Sequence, residues 1–73
     1  MVIDKMTKDI LKKFLPGEQK VFTLPSFEKA QSAATQAYKA KNFEDTYGWE
    51  FSVRIGDPME GTKQRSVTIT RVA

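Results

Sequence analysis

From Trp49 to Ile55 the chain alternates without a break, with Trp49, Phe51, Val53 and Ile55 set against Glu50, Ser52 and Arg54. A period of two sends successive side chains to opposite faces of a strand, so this segment is a strand with one face in a core and one in water. A sheet with an apolar face must bury it against a second layer. The layers available are few, because a chain of 73 residues hides only ~60% of its unfolded surface on folding and holds one core. The chain has no cysteine, so disulfide staples are excluded and stability must come from packing or from self-association.

The remaining elements follow from local patterns. Ser66 to Val72 repeats the alternation, with Val67 and Ile69 against Ser66, Thr68 and Thr70. The intervening Gly56 to Gly61 stretch carries Asp57-Pro58 and reads as a loop, which makes the two strands an antiparallel hairpin. Lys20 to Leu24 is a third, short strand with Phe22 and Leu24 on one face, ended by Pro25. Ser26 then caps a helix that runs to about Lys41, with a C-cap near Asn42. Its apolar face, drawn through Phe27, Ala30, Ala34, Ala37 and Tyr38, is expected to lie flat on the sheet with an aromatic clamp at each end. Upstream, Met6, Ile10, Leu11 and Phe14 recur at helical spacing opposite Lys8, Lys12 and Lys13. They predict an amphipathic helix over Thr7 to Leu15, capped by Asp4 or Thr7 and stopped by Pro16 and Gly17. The expected fold class is α+β in αβαββ order, a three-stranded antiparallel-type sheet with one alanine-rich helix packed on one face. It is read as one domain over 1–73, with the N-terminal helix and turn in 1–17 and a βαββ core in 20–72.

Residue types that are missing restrict the chemistry. With neither His nor Cys in the sequence, metal sites built on imidazole or thiolate and Ser-His or Cys-His nucleophile pairs are excluded. The carboxylates do not pair at a spacing that would place two of them in one cleft, and Asp57 and Glu60 in the Gly56 to Gly61 loop lack the ligand spacing of a calcium-binding EF-hand. The four glycines sit at element ends and form no phosphate loop. The reading is therefore of a non-enzymatic domain with no cofactor and no metal. The N-terminal stretch, Met1 to Asp9, lacks a continuous apolar run, which argues against a leader or membrane segment and for a cytoplasmic protein.

A net charge of +3 and a pI near 9.3 direct attention to acidic partners. The hairpin's outer face is expected to project Glu50, Ser52, Arg54, Ser66, Thr68 and Thr70, flanked by Lys63, Arg65 and Arg71. Hydroxyls and guanidinium groups on a flat antiparallel surface are the means by which sheets contact phosphates and base edges. Arg54, Lys63, Arg65, Thr68, Thr70 and Arg71 are accordingly the candidate nucleic-acid-binding residues, and three or four phosphate contacts would give a log–log salt slope of about −3. The plain alternative is a solvated face, because threonine is a good strand former and sheet readers usually carry more positive charge or exposed stacking aromatics. Of the aromatics Phe43, Tyr47 and Trp49, the first and last suit the core, and the pattern leaves Tyr47 open. A partner of a different class is another protein or a second copy, held along an exposed strand edge in Lys20 to Leu24 or Val67 to Val72.

The segment from Val21 to Val72 resembles short proteins encoded by phages, prophages and gut Bacteroides genomes. The likeness rests on the strand ending in Leu24-Pro25, the Ser-capped helix carrying Ala30, Ser32, Ala33, Ala34 and Tyr38, the run Gly48-Trp49-Glu50-Phe51-Ser52-Val53-Arg54, and the closing Val67-Thr68-Ile69-Thr70-Arg71. It implies a βαββ core and carries over no catalytic residue. The longer N-terminal helix and the long Gly56 to Gly61 loop depart from that group. A helix-on-three-strands plan also occurs in DNA-binding domains of some integrases, which is an analogy of fold.

Overall fold

A computed structural model describes residues 2–58 and 60–73. The elements are α1 (Lys8–Leu11), β1 (Gln19–Leu24), α2 (Phe27–Lys39), β2 (Phe51–Pro58) and β3 (Arg65–Arg71), with a 3-10 turn at Ala40–Asn42 continuing α2. The three strands form one antiparallel sheet in the order β1-β3-β2, covered on one face by α2. The fold is therefore α+β, as the alternating patterns require. Strand β3 lies in the middle, which corrects the expectation that Val67 to Val72 could be a sheet edge. Both β1 and β2 pair with it along their lengths, and its Val67 and Ile69, under α2, are both 0% exposed.

The backbone ladder can be followed from its ends. Val72 donates to the Glu50 carbonyl at 2.8 Å and Glu50 donates to the Ala73 carbonyl at 3.2 Å, whereas Arg71 donates to Glu18 at 2.9 Å and accepts from Gly17 at 2.9 Å. In an antiparallel ladder successive residues turn their amides to opposite sides. Hence Thr68 and Thr70 of β3 bond toward β2, and Val67 and Ile69 bond toward β1.

Helix α2 opens as its sequence predicts, with the Ser26 hydroxyl accepting from the Lys29 amide at 3.3 Å, and Glu28 in the first turn favours the positive end of the helix dipole. The face it buries differs from the expected one. Ala30, Ala33, Ala37 and Ala40 are buried, whereas Phe27 and Tyr38 are 43% and 54% exposed. The cause is a second neighbour. Met6, Leu11 and Phe14 join the same core as the alanines and Phe22, and residues Lys5 to Lys8 run beside Lys29, Ser32 and Gln36 of the helix. A helix wedged between a sheet and an N-terminal arm turns its smallest residues into the angle between them. Ala33 moves in and Tyr38 moves out.

The N-terminal arm is held by turns more than by helix. Helix α1 has four residues, capped by the Thr7 hydroxyl at 3.3 Å from the Ile10 amide, shorter than the Thr7 to Leu15 helix expected. Phe14 is the reason, since it leaves the helical path to pack between Phe22 and Phe51, with ring centroids 6.3 and 5.4 Å away. Leu15 to Glu18 then makes a tight turn in which Glu18 donates to the Leu15 carbonyl at 2.9 Å. Pro16 presets one central residue and Gly17, at φ +80°, supplies the left-handed one, the arrangement of a type II turn.

Substitution distinguishes the two helix faces. Ala33→Leu has no space to occupy and is expected to destabilise by about 1 to 3 kcal/mol in urea unfolding, whereas Ala34→Leu enters an open groove beside Val53 and Ile55 and should change stability by less than about 0.5 kcal/mol.

Candidate interaction edge

The six residues singled out on the hairpin separate into three places. Arg54, Thr68 and Thr70 share the uncovered face of the sheet, with Ser52 and Ser66 beside them, because positions of like parity along paired strands face alike. Thr70 accepts a hydrogen bond from the Gln19 side chain at 3.2 Å. Arg65 and Arg71 have the parity of Val67 and Ile69 and therefore lie on the helix side. Arg65 stacks on the Phe27 ring at 4.8 Å, donates to the Gly56 carbonyl at 3.3 Å, and shares a groove at the start of α2 with Lys63. Arg71, at the other end of β3, lies 3.4 Å from the Trp49 ring centroid and donates to the carbonyls of Phe14 at 3.1 Å and Ala73 at 3.2 Å. Both guanidinium groups are engaged in tying the ends of the sheet to neighbouring segments, and the sheet's open face keeps Arg54 as the cation among these six.

The feature that stands out in the geometry is an edge. Glu50 turns its amide and carbonyl to β3, so Ser52 and Arg54 do likewise and Phe51, Val53 and Ile55 direct theirs away from the sheet. The opposite edge, β1, is partly covered, since Val2 forms a parallel bridge with Thr23 and Ile3 donates to the Thr23 carbonyl at 2.9 Å. Beside the β2 edge runs a groove lined by Gln31, Ala34, Thr35, Tyr38, Val53 and Ile55. None of these residues is charged. A second depression, past Tyr38, is lined by Lys41, Trp49, Glu50, Phe51 and Val72.

The edge ends in a bulge. The pairing of Ile55 with Val67 is followed by that of Pro58 with Arg65, so β2 carries one more residue than β3 in this interval. Glycine at 56 suits this place, because a Cβ on it would lie 2.5 Å from the Ser66 Oγ and would have to turn that hydroxyl aside. An isolated glycine at the end of an alternating run is a sequence signal for a bulge, although Gly56 reads equally as the start of the loop. Below the edge, Thr46 is buried and its hydroxyl donates to the Ala40 carbonyl at 2.5 Å, fixing the entry into β2. Nothing in the apolar pattern marks Thr46, since its role depends on where the helix stops. Tyr47, whose place the sequence leaves open, is 78% exposed.

Because Arg71 packs on the protein's single tryptophan, its role is measurable. Arg71→Ala should lower stability by about 1 to 3 kcal/mol and change the Trp49 emission, whereas Arg54→Ala should leave stability within about 0.5 kcal/mol and the spectrum unshifted.

Family models, curated proteins and solved structures were compared with this chain, and none of them matches it.

Proposed function

We propose that this protein is a non-enzymatic interaction module that takes up an extended segment along the β2 edge. The observation that carries this reading is the outward-turned backbone of Phe51, Val53 and Ile55 beside an uncharged groove. Strand addition draws its affinity from main-chain hydrogen bonds and its selectivity from pockets that take alternate side chains. Both requirements are met on one side of the molecule. The sheet supplies donors and acceptors, and the strip of Ala34, Tyr38, Val53 and Ile55 supplies an apolar shelf. The absence of His and Cys from the sequence supports the non-enzymatic part of the reading.

A second reading, nucleic-acid binding, is favoured by the uncovered sheet face with Arg54 among Ser52, Thr68 and Thr70. With Arg54 as the cation on that face, a contact made there would give a log–log salt slope of about −1 rather than about −3. No described helix is long and apolar enough to cross a membrane.

The edge reading is tested by chemical synthesis of the chain with an N-methyl group on the Val53 amide, which removes an outward donor and leaves the β2–β3 ladder intact. Peptides selected from a random library on the unmodified chain should lose binding to the methylated one, and they should slow amide exchange at Phe51, Val53 and Ile55. Peptides that bind both chains equally would place recognition elsewhere.

A further inference from the structure

The β2 edge is self-complementary in charge when read in opposite directions. From Trp49 the order is apolar, acidic, apolar, small, apolar, basic, apolar, ending at Ile55 with Ser52 at the centre. An antiparallel copy of this segment, related by a two-fold axis through Ser52, sets Glu50 opposite Arg54 and Phe51 opposite Val53, while Trp49, which precedes β2 and donates its amide to the Thr46 carbonyl at 2.9 Å, stays outside the new ladder. Each ion pair and each apolar pair then occurs twice. We propose that the occupant of this edge is a second copy of the chain in this register, forming a continuous sheet across the two-fold. The inference rests on the strand-edge reading and names its partner.

Three observations support this register. The backbone parity is right, because an axis through Ser52 pairs Phe51 with Val53, and these are residues whose amides and carbonyls face outward. Neighbouring registers fail on charge. An axis through Arg54 sets that residue against itself, an axis through Glu50 does the same for the carboxylate, and an axis through Val53 leaves both charges opposite uncharged residues. Like charges directly opposite in a sheet are destabilising and opposite ones favourable. Finally, Glu50 and Arg54 are exposed and lack ion-pair partners within the chain among the described residues, so a second copy is not competing with internal pairs. The uncharged flank of α2 beside β2 lets the copies approach without opposing like charges. The bulge after Ile55 at one end and the engaged Trp49 amide at the other limit the paired stretch to 50–54, which favours a closed pair over an open array.

Sedimentation equilibrium over a concentration series at low salt tests the proposal. The unaltered chain is expected to dimerise, and Glu50→Arg or Arg54→Glu alone should weaken the dimer by about tenfold or more, since each change replaces two attractions by two repulsions. Mixing the two single variants should restore association as a heterodimer. One chain would then carry arginine at both positions and the other glutamate at both, so that the two cross-strand pairs are again attractive. Circular dichroism of each variant verifies that these exposed substitutions leave the fold intact. A dimer unaffected by either reversal, or variants that fail to associate on mixing, would overturn the register. A chain that stays monomeric throughout would overturn the self-pairing while leaving the strand-edge reading standing, provided library peptides still lose binding on N-methylation of Val53.

Discussion

Everything in this molecule hangs on β3. It is the strand with a partner on both sides, and its side chains and amides are divided among four tasks. Val67 and Ile69 fill the core beneath α2 and their amides serve β1, while Thr68 and Thr70 face outward and their amides serve β2. Arg65 and Arg71, at its two ends, reach over Phe27 and Trp49. Each ring gains a cation above it, and each cation keeps part of its surface in water, the balance in which such contacts stabilise at low desolvation cost. The basic residues at the hairpin ends are in this sense structural ties between the sheet and its surroundings.

The strands and the main helix are legible in the sequence because their signals are local. Alternation from Trp49 to Ile55 and from Ser66 to Val72, the Ser26 cap and the Pro16-Gly17 stop each depend on residues a few positions apart. The departures come from relations that local pattern does not encode. Which strand lies in the middle depends on how β1 reaches β3 across the helix, and a single sequence carries no periodicity for that. The buried helix face is displaced from Ala34 and Tyr38 toward Ala33 and Ala40 because Met6, Leu11 and Phe14 occupy the flank of α2. A helical wheel drawn against a sheet alone has one neighbour where the protein has two.

The candidate site is legible only in part. Alternation places Arg54, Thr68 and Thr70 on the outer hairpin face, where they lie. Proximity in sequence groups Arg65 and Arg71 with them, but strand parity sends both to the other side. The open edge cannot be located before the strand order is known. Once β3 is central, β1 and β2 become the edges, and the arm at Val2 and Ile3 shields part of the first. Small sheets commonly protect such edges with charge, proline or a bulge. Strand β2 has all of these in Arg54, Pro58 and the irregularity at Gly56, arranged so that they restrict pairing to one short stretch without closing it.

The central position of the last strand also governs how the chain reaches its fold. Gln19 and Thr70, which touch across β1 and β3, are 51 residues apart in sequence. Until β3 has been synthesised, β1 has no strand to join and β2 has no hairpin partner, so neither ladder can form before it. Contacts this distant raise the contact order, and folding slows as contact order rises. Before β3 is present, the apolar residues of β1 and β2 lack the strand that covers their backbone edges, the condition in which unpaired edges invite association with other chains.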